Sequence, residues 1–186
     1  MTKSRTFLIG FAVAMVALVA GVYTGYTGRQ SSNSLRQAAP TLAPEAIDKL
    51  FASSLNDLNG KSQKLAQWKG KTLIVNFWAS WCPPCREEMP GFSRLQGKYA
   101  ANSVQFVGIA LDTKENVSAF SREFPVTYPL LIGGNEGSDL ARQLGNAQLA
   151  MPYTVIISPA GEARFSRLGG LSEQELDTLL QQTITR

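Results

Sequence analysis

The chain's two cysteines, Cys82 and Cys85, lie directly after an apolar run at residues 72–78 and at the start of a helical pattern at residues 83–99. The apolar run, TLIVNFW, is nearly continuous in apolar and β-branched residues, which is typical of a central strand covered on both faces. The cysteine pair is therefore predicted at a strand-to-helix junction. Any fold for this chain must place a buried strand, a tight turn and a helix in that order.

Other segments alternate between strand and helix patterns. A small hairpin is predicted at residues 50–58 and 61–65, because Asn59-Gly60 suits a tight turn, and a short helical turn follows at 65–68. Ser172 and Glu175 have the capping-box spacing that begins a helix. Strands that alternate with helices predict an α/β sandwich. The further predicted strands are 104–110, 127–132, 153–157 and 163–168, and the further helices are 116–124, 138–144 and 172–183.

Cys82 is the predicted attacking thiol. With a helix that begins near Pro83, Cys82 lies in the N-cap region, where unpaired backbone N–H groups and the helix dipole stabilise an anion. A cysteine in that position has a lowered pKa, and the thiolate is the nucleophile. Cys85 lies one turn later and is the predicted resolving thiol, which attacks the mixed disulfide and releases the product.

The residues around the cysteines favour the reduction of disulfides. Pro83 and Pro84 have no N–H, so two potential donors to the Cys82 thiolate are missing. The chain contains no histidine, so no imidazolium adds positive charge, and Ser–His and Cys–His catalysis are excluded. A thiolate with little stabilisation indicates a reductant or isomerase, because strong oxidants owe their potential to a stabilised reduced form.

Two other interpretations of the cysteine pair are an inert structural disulfide and a copper-binding module. A disulfide that closes so short a loop adds little stability. The pair also lacks nearby histidine or methionine ligands for copper, and two thiols alone do not complete a tetrahedral zinc site. We therefore expect no metal, and no cofactor beyond the redox-active Cys82–Cys85 disulfide itself.

Glu88 is the candidate for proton transfer. It lies three positions after Cys85, which places both side chains on one helical face. A partly buried carboxyl group there would have a raised pKa and would exchange protons with Cys85. The alternative is a solvated helix residue, which is the interpretation for Glu87. Asn76, on the strand before the cysteines, is interpreted as an ordinary core amide.

The substrate surface is predicted beside the cysteines. Trp81 flanks them and is assigned to this surface, whereas Trp78 is assigned to the core. Proline at the start of a strand is ordinary, but a cis proline that faces the disulfide would offer the backbone of Met151 to an extended substrate. The candidate substrate-binding residues are Trp81, Pro83, Pro84, Met151 and Pro152.

The N-terminus has the pattern of a membrane anchor. Lys3 and Arg5 precede an uncharged run at residues 6–28, whose apolar centre has about the minimum length of a membrane-spanning helix. The basic residues before the run place the N-terminus in the cytoplasm and the rest of the chain outside it. Cleavage as a signal peptide is the alternative, and both interpretations deliver the domain to an oxidising compartment. We predict a single-pass anchor at residues 1–27 in the inner membrane, with the catalytic domain in the periplasm.

The remaining chain divides into a linker and one domain. Residues 28–46 are rich in small and polar residues and prolines, which is typical of a flexible tether, and the domain is predicted at residues 47–186. Of 18 basic and 14 acidic residues, three basic ones lie in the first 29 positions, which contain no acid, so 15 basic and 14 acidic residues remain. This balance gives no basic field for nucleic acid.

The residues at 75–90, VNFWASWCPPCREEMP, closely resemble the active-site block of the TlpA/ResA/CcmG family of membrane-anchored, extracytoplasmic thioredoxin-fold thiol–disulfide oxidoreductases. The resemblance covers roughly residues 47–184 and is carried further by residues 107–112, 128–131, 151–154 and 168–172. It implies a thioredoxin fold, with a central mixed sheet flanked by helices, an N-terminal hairpin extension and a βα insertion at about residues 111–132.

The resemblance also carries implications for the site and the partners. It implies that Pro152 is cis and that Glu88 is functional, and Asn76 matches the family, whereas cytosolic thioredoxins have a buried aspartate there. Implied substrates are disulfides of exported proteins, namely apocytochrome c or copper-site proteins, and an integral-membrane thiol protein supplies the electrons. A thiol-dependent peroxidase of the same fold is the other enzymatic alternative, although no Thr-x-x-Cys precedes the site.

Overall fold

A computed structural model describes residues 42–184, which form a seven-stranded sheet flanked by helices. The strands are β1 Ser54–Asp57, β2 Ser62–Lys64, β3 Thr72–Trp78, β4 Val104–Ala110, β5 Leu130–Ile132, β6 Tyr153–Ile157 and β7 Ala163–Leu168. The α-helices are α1 Pro44–Ala52, α2 Pro83–Lys98, α3 Lys114–Glu123, α4 Gly134–Gln143 and α5 Glu173–Ile184. Short 3₁₀ turns lie at Leu65–Trp68 and Ala100–Asn102.

Strand β3 is the centre of the sheet, and every residue in it is buried. The strand order is β2-β1-β5-β4-β3-β6-β7, with β3 parallel to β4 and antiparallel to β6. Because successive side chains in a strand face opposite sides, Ile74 and Trp78 pack in the apolar layer that contains the cysteines, while Val75 and Phe77 pack in the opposite layer. The prediction of a central strand covered on both faces is confirmed.

The hairpin and the insertion extend this sheet on one side. The hairpin strands β1 and β2 turn at Asn59-Gly60, as predicted, and Gly60 has a φ of +81° that suits glycine. Strand β5 lies between β1 and β4, antiparallel to the first and parallel to the second. The predicted thioredoxin fold, with its hairpin extension and its βα insertion, is confirmed for the part of the chain that the structure describes.

Helix α1 corrects the prediction for the start of the domain. The sequence pattern predicts a hairpin that begins at residue 50, but the chain is helical until Ala52. The physical reason is an apolar stripe at helical spacing, Ala46, Ile47, Leu50 and Phe51, which packs against the layer opposite the cysteines, behind a proline that suits a helix start. Residues 44–46, which were assigned to the linker, form the first turn of this helix.

Three elements of the second half differ from prediction at their ends. Helix α3 begins at Lys114, because the side chain of Thr113 accepts a hydrogen bond from the backbone N–H of Asn116. Strand β5 is limited to Leu130–Ile132, and α4 begins at Gly134 rather than at residue 138. The predicted capping box is present at the start of α5, where Ser172 Oγ accepts from the N–H of Glu175 and Glu175 Oε2 accepts from the N–H of Ser172.

The predicted anchor at residues 1–27 lies outside the described residues. From residue 42 to residue 184, no helix has the length and apolar character needed to cross a membrane.

Candidate active site

The two cysteines form a disulfide at the N-terminus of α2, with an S–S distance of 2.05 Å. Cys82 is the N-cap residue, and Pro83 and Pro84 occupy the first two helical positions. The turn that separates β3 from α2 is closed by a hydrogen bond from the N–H of Cys82 to the carbonyl of Ala79 (3.2 Å). The predicted strand, turn and helix therefore follow one another as expected.

The two sulfur-bearing residues differ in accessibility. Cys82 is 4% exposed and Cys85 is fully buried among the apolar residues beneath α2. A disulfide that approaches from solvent therefore meets Cys82 first. In the N-capping geometry, the N–H groups of the second and third helical residues face the cap side chain. Pro84 has none, so Cys85 is the residue that can offer a backbone N–H to a Cys82 thiolate.

Glu88 is buried, with 6% of its surface exposed. Its Oε1 accepts a hydrogen bond from Asn76 Nδ2 (2.8 Å), and its Oε2 accepts one from the backbone N–H of Leu171 (3.0 Å). Burial raises the pKa of Glu88 to about 7, because an apolar environment disfavours the carboxylate, and the two hydrogen bonds oppose this rise. A carboxyl group with this pKa gives and takes protons near neutral pH.

Asn76 connects Glu88 to strand β6. Its Nδ2 also donates to Thr154 Oγ1 (3.1 Å), and the three side chains form a buried chain of hydrogen bonds. The interpretation of Asn76 as an ordinary core amide missed this contact, and Thr154 and Leu171 were not identified from the sequence. Thr154 directly opposes Asn76 in the antiparallel β3–β6 ladder, so an alignment of the two strand patterns could have found it.

Tyr128 is a further buried polar group near the carboxyl group. Burial raises the pKa of Tyr128 above its ordinary range, and the negative charge of Glu88 adds to this effect. Within residues 42–184, the buried side-chain polar atoms without a hydrogen-bond partner are Asn76 Oδ1, Trp78 Nε1 and the Tyr128 hydroxyl. Trp78 is fully buried, as predicted.

Asp112 holds the turn that carries the cysteines. Its Oδ2 accepts hydrogen bonds from the backbone N–H (3.0 Å) and the hydroxyl (2.5 Å) of Ser80, and its Oδ1 accepts from the N–H of Thr113 and from Asn116 Nδ2. Although burial raises the pKa of Asp112, these hydrogen bonds together hold it below its ordinary value. The ionised carboxylate therefore fixes the end of β4 to the turn before Cys82.

Two large apolar side chains are exposed near the site in sequence, Trp81 next to Cys82 and Leu168 next to the Gly169-Gly170 pair, and we call these two residues the apolar rim. Trp81 is 65% exposed and Leu168 is 55% exposed, and the assignment of Trp81 to the substrate surface stays a prediction. The Met151–Pro152 peptide bond is cis, and the carbonyl of Pro152 accepts a hydrogen bond from the N–H of Gly169 (2.8 Å). Pro83, Pro84 and Gly170 are also exposed, whereas Met151 is half-buried and Pro152 is buried.

The loop after β7 lies against the start of α2. A Cβ atom placed on Gly170 would lie 3.6 Å from Pro84 Cβ, which is ordinary van der Waals contact. On α2 itself, the Arg86 guanidinium lies 5.0 Å from the ring centroid of Phe124 in the insertion.

No cluster of three or more Cys, His, Asp or Glu side chains suited to a metal ion occurs in the described part of the chain.

Comparison with known proteins gives consistent matches. Residues 46–166 match the AhpC/TSA family. The thiol-disulfide oxidoreductase ResA of Halalkalibacterium halodurans is 29% identical over 182 residues, which covers 97% of each chain. The thioredoxin-like protein YneN of Bacillus subtilis is 28% identical and covers 95% of this chain and 97% of that protein.

Solved structures share the same architecture. A thioredoxin-related protein from Neisseria meningitidis serogroup B superimposes with a TM-score of 0.64 at 33% identity, over 71% of this chain and 99% of that one. A thiol:disulfide interchange protein of the thioredoxin family from Chlorobium tepidum gives a TM-score of 0.62 at 30% identity, over 71% of this chain and 92% of that one. These matches agree with the resemblance found in the residues around the cysteines.

Proposed function

The chain belongs to the AhpC/TSA family, and we propose that it is a thiol–disulfide oxidoreductase that works as a reductant of protein disulfides outside the cytoplasm. The observation that carries this function is the Cys82–Cys85 disulfide at the N-terminus of α2, with the more accessible sulfur at the N-cap. The thiol–disulfide activity follows from this site together with the relatives.

The reductive reaction begins with both cysteines as thiols. The Cys82 thiolate attacks one sulfur of the substrate disulfide, the substrate S–S bond breaks, and the other substrate sulfur leaves as a thiolate. A mixed disulfide then joins Cys82 to the substrate. In this proposal the exposed side chain of Trp81, next to Cys82, contacts the substrate while the second step takes place.

Cys85 completes the reaction with Glu88 as its proton acceptor. Glu88 takes the Cys85 proton, the Cys85 thiolate attacks the Cys82 sulfur, and the Cys82–Cys85 bond forms as the second substrate sulfur leaves. The two substrate thiolates each take up a proton. In sum, the substrate gains two electrons and two protons, and the enzyme dithiol loses them.

The first turn of α2 supports the reductive direction. Pro84, at the second helical position, leaves the Cys82 thiolate with one backbone donor fewer than an ordinary helix start provides. The chain also has no histidine to add a positive charge. A less stabilised thiolate lowers the potential of the couple, because the reduced form gains less.

The proposed location and partners are supported by the N-terminal pattern and the resemblance. Lys3, Arg5 and the apolar run after them support a single-pass anchor in the inner membrane, with the catalytic domain in the periplasm. A reductant in an oxidising compartment needs an external supply of electrons, which we assign to an integral-membrane thiol protein. Its substrates are disulfides of exported proteins, either the haem-binding cysteines of apocytochrome c or the cysteines of copper-site proteins.

A trapping experiment in the native membrane tests this proposal. A Cys85→Ser variant retains the attacking thiol and loses the resolving one, so mixed disulfides between Cys82 and its substrates accumulate and their partners are identified by mass spectrometry. A Cys82→Ser variant is the control and traps none. The absence of a trapped partner, or a reduction potential near −120 mV, the value of a strong oxidant, would contradict the proposal. Faster turnover with hydrogen peroxide than with a protein disulfide would favour a thiol peroxidase.

A further inference from the structure

The amide of Asn76 uses both hydrogens of its Nδ2 in the buried layer beneath α2. One points to Glu88 Oε1 (2.8 Å) and the other to Thr154 Oγ1 (3.1 Å). Only the NH₂ end of an amide can donate to an ionised carboxylate. The orientation of Asn76 is therefore the one that stabilises the charged form of Glu88.

This orientation leaves the other end of the amide without a partner. Asn76 Oδ1 is buried and accepts no hydrogen bond from any described residue. An unpaired buried acceptor costs free energy, and most buried side-chain polar atoms in proteins are paired. A purely structural core amide would be expected to satisfy both ends, whereas Asn76 satisfies the end that faces Glu88 and Thr154.

The second oxygen of Glu88 is held from a different direction. Leu171 donates its backbone N–H to Oε2 (3.0 Å), so each carboxyl oxygen has one donor. Asn76 comes from β3, whereas Leu171 comes from the loop before α5. Without the amide, the carboxyl group would keep one donor and would be free to turn about that contact.

Few other titratable groups face Glu88 among the described residues. Cys85 lies on the same face of α2, and Tyr128 approaches from the segment before β5 and interacts with Glu88 electrostatically. Arg167 on β7 is the register partner of Thr154, but its guanidinium is paired with Glu175 of α5 at 3.4 Å. Cys85 is disulfide-bonded and does not titrate in the oxidised protein. The groups that oppose the rise in the pKa of Glu88 on burial are therefore Leu171 and Asn76.

We propose that Asn76 is a positioning residue for the proton transfer to and from Cys85, because it fixes the Glu88 carboxyl group and stabilises its ionised form, with Thr154 holding the amide in place. This inference rests on the proposed thiol–disulfide function and deepens it. Asn76 acts through Glu88 and contacts neither the substrate nor the sulfur atoms in this mechanism. Its effect therefore appears in the pH dependence of the second chemical step.

The first test measures the pKa of Glu88 directly in the oxidised protein. The Cδ chemical shift of ¹³C-labelled glutamate is followed against pH in the wild type and in Asn76→Leu, with Glu88→Gln used to assign the signal. Loss of a hydrogen bond to a charged group should raise the pKa of Glu88 by about one unit. Because it uses no substrate, this measurement stands even where the proposed function fails.

The second test uses activity and a double-mutant cycle. In Asn76→Leu, the pH at which release of a mixed disulfide becomes fast should move upward by about the same one unit. In a Glu88→Gln background, the same substitution should leave the pH profile unchanged, because its effect passes through Glu88. A merely structural role would change the rate equally in both backgrounds and would overturn the proposal.

A variant of the same shape tests the proposal in case Asn76→Leu does not fold. Asn76→Asp keeps the volume but places two carboxyl groups about 3 Å apart, and such a pair cannot ionise fully near neutral pH. The pair should therefore retain one proton to a pH well above that at which Glu88 titrates in the wild type. An unchanged pKa of Glu88 in a folded variant at position 76 would overturn the proposal.

Discussion

The carboxylate of Glu88 and the backbone N–H of Leu171 form a hydrogen bond of 3.0 Å across 83 residues of chain. Leu171 follows the Gly169-Gly170 pair, in which Gly169 donates to the carbonyl of Pro152 and Gly170 lies beside Pro84. The proposed proton carrier contacts the loop that begins next to one of the two rim residues. The proposed proton carrier and the proposed substrate surface therefore share one segment of backbone.

Glu88→Gln should slow the resolution of mixed disulfides by about 100-fold near neutral pH, which is the low end of what a general base contributes. The amide oxygen can still accept from Leu171, but the side chain no longer takes a proton. Stopped-flow measurement of product release from a preformed mixed disulfide gives the rate. Glu87→Gln is the matched control, because Glu87 is the adjacent carboxylate and is exposed. Equal rates in the two variants would contradict the role of Glu88.

The same substitution should change how stability depends on pH. The pKa of Glu88 is raised from 4.5 to about 7 in the folded protein. The contribution of this group to the free energy of unfolding is therefore fully present below pH 4.5 and is lost as the pH rises through about 7. The expected loss is about 3 kcal/mol. Glu88→Gln should remove this loss.

Urea unfolding of the oxidised protein at pH 5 and at pH 8 measures the effect. The free energy of unfolding should fall less between these two values in Glu88→Gln than in the wild type or in Glu87→Gln. The same pH dependence in all three proteins would show that Glu88 is not held in its neutral form by burial.

The sequence predicted the parts of the site that local patterns encode. The position of Cys82 follows from a strand pattern and a helix pattern that meet, and the placement of Glu88 on the same face as Cys85 follows from a spacing of three. The contacts of Glu88 with Asn76 and Leu171 depend on how α2 packs on the sheet and on the path of a distant loop. Such contacts have no signal in any short window of sequence.

The start of the domain shows a different limit. The apolar residues of α1 occupy a segment of nine residues between a proline-rich stretch and a hairpin, and a short run of this kind is ambiguous between strand and helix. The helix is selected because one face packs against the layer opposite the cysteines. Packing of this kind depends on the whole fold and has no local signal. The turn signal at Asn59-Gly60 correctly locates the hairpin, but it does not show where the first strand begins, and the predicted strand therefore starts too early.

Asp112→Ala should loosen the turn that carries Cys82. The carboxylate of Asp112 accepts hydrogen bonds from the backbone N–H and the hydroxyl of Ser80. Its loss leaves the Ser80 N–H without this partner, which should cost about 1–3 kcal/mol of stability. Amide hydrogen exchange should accelerate at residues 79–82. Asp139→Ala, which removes an exposed carboxylate paired with Arg142, is the control and should change stability by less than about 1 kcal/mol. Unchanged exchange at the turn would contradict this role.

Leu168→Ser tests whether the apolar rim binds protein substrates. Leu168 is 55% exposed beside the cis-proline segment, so its replacement should change stability by no more than about 0.5 kcal/mol. Because about half of this side chain is already covered, a substrate that buries the rest gains about 1 kcal/mol from it, so kcat/KM for a protein disulfide should fall by about three- to tenfold, mainly through KM. The rate with a small disulfide such as oxidised glutathione should stay the same, because so small a substrate reaches Cys82 without covering the rim. Arg164→Ser, at an exposed position on the same strand, should affect neither substrate, and an equal loss with both substrates in Leu168→Ser would show that the substitution disturbs the disulfide rather than the binding surface.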